Sequence, residues 1–261
     1  MIRAASLPAS AGWGWVRDGF RLLRRQPLLI PAAVSLNLMA LLVPVLLLPR
    51  SLGPLGPIVT SAIAPVLAIG VMHVVRAVDR GARADIRLIA GALRDDEGTA
   101  WKRLLILGLA QGVATTLAIA LASLFDDGTL AKVFSGEVAR DDPELASGRW
   151  AFPLVAQLLS MAPVQVLFWF APFFVAWHRV PIVRALFFSA VCVLRNLAAF
   201  GTYALGWIVS LALLLFLGTF AQILLGQVGI LVAVAAWSVG VSALYASFWS
   251  TYRDVVEAAS P

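Results

Sequence analysis

The chain has 261 residues, of which 61% are hydrophobic and 13% charged, with a net charge of +6. A single soluble core cannot hide that share of apolar side chain, so lipid has to solvate the remainder. Nucleic acid is excluded as the partner of the excess cations, because they lie in short segments between uncharged runs, where membrane orientation signals belong.

The first 25 residues carry five arginines and no long apolar run, which does not read as a cleaved signal peptide. Wound at about 100° per residue, Trp13 to Arg25 form an amphipathic helix. Arg17, Arg21 and Arg24 fall on one face with Asp18 and Arg25 beside them; Trp15, Val16, Gly19, Phe20, Leu22 and Leu23 cover the other. Such an elbow is expected to lie in the membrane interface. Pro27 suits the first turn of the span that follows, where its missing N–H has no helical partner to lose.

Two uncharged spans come next, at about 28–49 and 57–76. At the end of the second, His73, Arg76 and Arg80 stand at i, i+3 and i+7 and share a face. A second elbow is predicted at Ala84–Arg94, with Arg83, Arg87 and Arg94 opposite Ile86, Ile89 and Leu93. The third span, 104–125, repeats Gly108, Gly112, Thr116 and Ala120 every four residues, a smooth stripe on which another helix can approach closely. A loop at 126–149 follows, with a net charge of −3 from Asp126, Asp127, Glu137, Asp141, Asp142 and Glu144 against Lys132, Arg140 and Arg149.

The fourth span, 151–177, ends in the corner Trp177-His178-Arg179-Val180-Pro181, which leads into a third elbow at Pro181–Arg195. From Asn196 to Tyr252 the chain then runs 57 residues without a charge. One helix of that length would reach about 85 Å, against a hydrocarbon core of about 30 Å, so it must cross twice. The spans are placed at 197–221 and 230–250, with the fold-back at Gly226-Gln227-Val228-Gly229. The last span has its own small-residue stripe, Ser238, Ser242, Ala246 and Ser250.

The expected fold is therefore all-α: one integral membrane domain over 1–261, a polytopic bundle of six transmembrane helices with amphipathic interfacial elbows. The order suggests three elbow-plus-hairpin units, Trp13–Val78, Ala84–Trp177 and Pro181–Tyr252, whose low identity leaves true duplication open. Sixteen of the twenty basic residues fall on one side of this layout, which predicts cytoplasmic N- and C-termini and a periplasmic 126–149 loop. Arginine supplies eighteen of those twenty, a habit of GC-rich bacterial genomes that points to the bacterial inner membrane. Trp101, Trp150, Trp177 and Trp249 read as interfacial anchors, whereas Trp207 and Trp237 lie deeper and need a neighbouring acceptor. Asn37, Gln111, Gln157 and Gln165 should face the bundle.

Catalytic patterns are missing from the sequence. No Asp or Glu lies in a proposed span, neither Gly-x-Ser-x-Gly nor His-Glu-x-x-His occurs, and His73 and His178 lack carboxylate neighbours at zinc-site spacing. The lone Cys192 excludes an internal disulfide and any multi-thiolate metal centre. Asp79, Ala82-Arg83, Gly91 and Asp95 approach the metal-binding signature of membrane CDP-alcohol phosphotransferases. Arg80 and Thr99, however, stand where that signature needs Gly and Asp. The expectation is a non-enzymatic protein with no cofactor or metal. Its candidate lipid or phosphate contacts are Arg17, Arg21, Arg24, His73, Arg76, Arg80 and Arg179, with anionic membrane lipids as partners. Its candidate helix-packing residues are Gly108, Gly112, Ser238 and Ser242, read first as packing within the chain, with a partner membrane protein or a second copy as the alternative. The alternative is a lipid or small-solute transporter or flippase, which a cleft lined by the intramembrane amides would favour.

The run Phe168-Trp169-Phe170-Ala171-Pro172-Phe173-Phe174-Val175-Ala176-Trp177-His178 carries a resemblance that continues through Pro181, Ala185 to Ser189, Arg195-Asn196 and Tyr203 to Trp207. With Gly19 to Pro27 and Gly70 to Gly81, it resembles an uncharacterised family of bacterial six-span inner-membrane proteins, the hypothetical transmembrane protein family. The likeness covers nearly the whole chain. It implies fold and location and carries over no catalytic residue.

Overall fold

The computed structural model describes residues 4–47, 56–93, 99–126, 148 and 150–258, and among these every regular element is helical. The elements are α1 (Ser10–Arg25), α2 (Leu29–Leu47), α3 (Gly56–Asp79), a 3₁₀ helix (Ile86–Leu93), α4 (Ala100–Ser123), α5 (Ala151–Phe168), α6 (Ala171–Trp177), α7 (Ile182–Arg195), α8 (Leu197–Leu225) and α9 (Gln227–Tyr252). A terminal π-helix, Arg253–Glu257, continues α9. Among the described residues six stretches are long and apolar enough to cross a membrane: α2, α3, α4, α5 with α6, α8, and α9 with its π-helical extension. Most of the predicted 126–149 loop, and Arg94 of the second elbow, lie outside the described residues.

Several boundaries differ from the sequence reading, each for a local reason. Pro27 sits in the turn before α2 and not inside its first turn. The last fold-back needs one residue: Gly226 takes φ +56°, a left-handed conformation open to glycine, and α9 restarts at Gln227. The fourth span is two helices. Pro172 has no N–H to offer the Phe168 carbonyl, so the ladder breaks at Trp169–Phe170. The elbow helix α7 repairs the break: the Phe170 N–H donates to Ser189 Oγ (2.9 Å), whose hydroxyl donates to the Val166 carbonyl (3.0 Å).

The three elbows also differ from one another. The second elbow is a 3₁₀ helix packed under α3, with Ile89 against Gly70. The first, α1, is docked on protein: Trp15, Val16, Leu22 and Leu23 are buried against α8 and α9. Its close approach is fixed by two glycines seven residues apart. A Cβ on Gly12 would overlap the Ala199 carbonyl oxygen, and one on Gly19 the Ala243 carbonyl oxygen. The same device joins α3 to α4 at Gly108 and Gly112, and Ser242 is buried within the bundle while Ser238 is half-buried. The Gly108 and Gly112 stripe therefore serves packing inside the chain.

Burial is concentrated at the arginine-rich end. On α9 the buried residues gather from Gly240 to Tyr252, and on α8 Ala199, Tyr203, Gly206 and Trp207 are covered. Towards the opposite end Leu213, Phe216, Phe220 and Ile223 of α8 and Val228, Leu231 and Val234 of α9 are exposed apolar side chains. The covered end is held by packed rings: Phe173 stacks on Tyr252 (4.2 Å between centroids) and meets Phe248 (5.0 Å), and Trp169 meets Phe248 edge-on (5.3 Å).

Candidate functional site

At the arginine-rich end the π-helix folds charged groups back over the bundle. Its hydrogen bonds reach one residue further than those of an α-helix, and it carries Arg253 between three carboxylates. The guanidinium donates to Asp18 of α1 (2.8 Å), to Asp79 of α3 (3.1 Å) and to Asp254 (2.7 Å). Two indoles complete the network: Trp249 donates to Asp79 (2.9 Å) and Trp15 to Asp254 (3.0 Å). Trp249 is fully buried, so it is an internal donor and not the interfacial anchor expected from its position. Asp79, surrounded by cations and N–H donors, is occupied as a structural anion.

The second candidate cluster is also committed internally. Arg76 (3.1 Å) and Arg80 both donate to Glu257, and Arg76 lies over the Trp177 ring at 4.8 Å. His73 donates from Nδ1 to the Ile69 carbonyl (2.9 Å) and accepts the Trp177 indole N–H at Nε2 (3.3 Å). That pairing fixes a neutral imidazole and leaves it no donor for a phosphate. Arg179 occupies the corner after α6 with φ +52°, and the neighbouring His178 meets the Tyr252 hydroxyl at 2.7 Å. Burial, helped by the charge of Arg76, lowers the His178 pKa below the usual histidine value.

The first elbow gathers its cations on one outward face, while the other two elbows expose Arg83 and Arg87, and Arg184 and Arg195. Arg17, Arg21, Arg24 and Arg25 line, with Phe20, a shallow cavity of about 610 Å³. Arg21 pairs with Asp18 (3.1 Å), and Arg25 donates to the Asp79 carbonyl (3.1 Å). Arg17 and Arg24 are exposed and have no acidic partner among the described residues. Cys192 is buried in α7, and burial pushes its thiol up to about 11, which leaves almost no thiolate at neutral pH.

No protein-family model and no solved structure matches the chain. A protein of Burkholderia thailandensis named as a probable inner membrane protein is 32% identical to it over 256 residues, which cover 97% of this chain and 93% of the relative. The chain belongs to that inner membrane protein family. Its six membrane-capable helices accord with that membership.

Within this inner membrane protein the amides divide. Asn37 is 4% exposed and donates to the Tyr245 hydroxyl oxygen (2.9 Å), while its own Oδ1 has no partner among the described residues. Gln111, half-buried, and Gln165, exposed and so not turned into the bundle as expected, line a cavity of about 300 Å³ together with Tyr203 and Tyr245. Gln157 is half-buried elsewhere on α5. Trp207 finds the acceptor its depth requires, Ser247 Oγ at 3.2 Å, which also meets the Tyr203 hydroxyl at 2.7 Å.

Sequence reasoning passed over three residues that organise this end. Asp254 and Glu257 lie in a short charged tail that periodicity does not position. Asn196, the cap after α7, accepts the Leu7 N–H (2.9 Å) and donates to the Ala5 carbonyl (2.9 Å), pinning the N-terminal segment. A signal existed in the adjacent opposite charges Asp79-Arg80 and Arg253-Asp254 at two span ends.

Proposed function

We propose that this inner membrane protein is a non-enzymatic binder of anionic lipids, with the outward face of α1 as its contact and cytoplasmic termini. The observation that carries the reading is the contrast between two sets of arginines. Arg76, Arg80 and Arg253 are consumed by Glu257, Asp18, Asp79 and Asp254, whereas Arg17 and Arg24 project from α1 beside Arg21 without a protein anion. Near a membrane surface each such cation contributes about 1 kcal/mol of attraction to anionic headgroups, screened by salt. The buried face of α1 gives the surface rigidity, because its side chains are held between α8 and α9. The same contacts would let it seat a partner membrane protein through shared lipid.

Replacing Arg17, Arg21 and Arg24 together with Gln is expected to lower co-purifying phosphatidylglycerol and cardiolipin severalfold, measured by mass spectrometry of purified protein. Thermal stability should change little, since these side chains are exposed and Arg21 holds only a surface pair. Unchanged lipid content would remove this role from α1.

The orientation follows from the sixteen-to-four division of basic residues. Reporter fusions at the 126–149 loop are expected to be active on the periplasmic side only, and fusions at Pro261 on the cytoplasmic side only. The opposite pattern would turn the lipid-facing arginines to the wrong leaflet and overturn the reading.

A further inference from the structure

We infer that the cavity between α3, α4, the α5–α6 break and the α8–α9 hairpin binds an uncharged, lipid-soluble molecule that carries carbonyl oxygens. It is lined by Pro65 and Ala68 of α3, Gln111 of α4, Gln165 and Trp169 near the break, and Tyr245 of α9. Its volume of about 300 Å³ is at the small end of ligand sites. Counted along the helices, Gln111 lies about 16 Å from the start of α4 and Tyr245 about 10 Å from the end of α9, so the cavity is within the membrane-spanning region.

Three of its groups have hydrogen-bonding capacity left over. Gln111 is half-buried and Gln165 exposed at the cavity's open side, and neither side-chain amide has a hydrogen-bond partner among the described residues. The Tyr245 hydroxyl already accepts from Asn37, which leaves its hydrogen to donate. Amides without partners are costly to place in hydrocarbon, and this family member keeps two at one cavity. Each amide offers N–H donors beside its own carbonyl oxygen and the phenol offers only its O–H, so a ligand's acceptor oxygens are what all three groups can meet. No charged residue lines the space, which excludes an ionic ligand. Phe168, Trp169 and Phe248 supply flat apolar walls, suited to a ring or to the unbranched stems beside an ester. The break at Trp169–Phe170 opens here because a proline follows it, and Pro65 of α3 faces the same space, so two helices lose regular backbone bonding beside the cavity. A quinone ring and the ester region of a diacylglycerol share the required chemistry.

The test is native mass spectrometry of the purified full chain, titrated separately with decylubiquinone and with dioctanoylglycerol. Wild type is expected to form a saturable one-to-one adduct with at least one probe. An adduct with the quinone alone assigns ring recognition; one with the diacylglycerol alone assigns ester recognition. The double substitution Gln111→Leu with Gln165→Leu is expected to weaken the adduct at least tenfold while leaving the melting temperature unchanged or higher. Ala68→Phe, which fills the cavity with a ring, is expected to abolish the adduct and serves as the second variant should the double substitution fail to fold. The triple α1 variant with Arg17, Arg21 and Arg24 changed to Gln should bind the probes like wild type, which separates this site from the headgroup contact. Absence of a saturable adduct with either probe, or equal binding by wild type and both cavity variants, would overturn the inference.

Discussion

Arg253→Ala is expected to destabilise the folded protein by about 3 kcal/mol, the cost of leaving partly buried carboxylates without their cation. Arg253 is one-quarter exposed and Asp79 only 12% exposed, and the guanidinium is the shared partner of Asp18, Asp79 and Asp254. Its removal leaves three carboxylates near one another. Asp79 keeps the Trp249 N–H, but Asp18 keeps only Arg21 at the surface and Asp254 only the Trp15 N–H. Because Asp18 belongs to α1 and Asp79 to α3, the loss also loosens the docking of the elbow on the bundle. For a chain of this size the expected shift in melting temperature is of order 10 °C, followed by thermal unfolding in detergent. Arg253→Lys should recover only part of it, since one ammonium cannot present the planar fork that spans three carboxylates. A melting temperature for Arg253→Ala within 2 °C of wild type would show that the network contributes little to stability.

Gly108→Leu is expected to be more damaging still and to prevent α3 and α4 from packing in their present register. A Cβ at this position already overlaps the carbonyl oxygens of Ser61 and Ala62, which belong to the backbone of α3 and cannot rotate aside. Overpacking of this kind costs about 1–3 kcal/mol where side chains can yield, and more where the obstacle is a helix backbone. Gly112→Ala offers a graded comparison. Its added Cβ would stand 3.0 Å from Ser61 Cβ and 3.3 Å from Ile58 Cα, a contact that a small shift relieves. Gly201→Ala is the control, because nothing lies within 4 Å of that position and alanine favours the helix by about 1 kcal/mol. The expected order of melting temperature is Gly201→Ala at or above wild type, then Gly112→Ala, with Gly108→Leu lowest and eluting as a broad, aggregated species. A monodisperse Gly108→Leu protein that melts with wild type would mean that α3 and α4 do not meet at this glycine.

The candidate site was legible in part. The arginines of α1 were found because an amphipathic helix sorts its residues by azimuth, and the sequence contains the azimuths. His73, Arg76 and Arg80 were found by the same rule, yet their use was hidden. Glu257 lies 181 residues from Arg76, and its position depends on a π-helix that continues α9. Trp249 shows the same limit, since a tryptophan at a span end looks like an anchor until a carboxylate from another span is placed beside it.

By itself the sequence determined the membrane class, the six apolar stretches, the positions of the elbows and the return at Gly226, because length, hydropathy and glycine chemistry act on neighbouring residues. Only the tertiary structure decided that α1 buries its apolar face on α8 and α9, and that Asp79 is filled by Arg253 and Trp249. It also decided that Gln111, Gln165 and Tyr245 meet at one cavity. Each of these depends on which helix faces which. In a chain where nearly every span is apolar all round, hydrophobicity does not choose between faces. The choice falls to glycines that admit a backbone and to buried polar groups that need a partner, and both act between helices far apart in sequence.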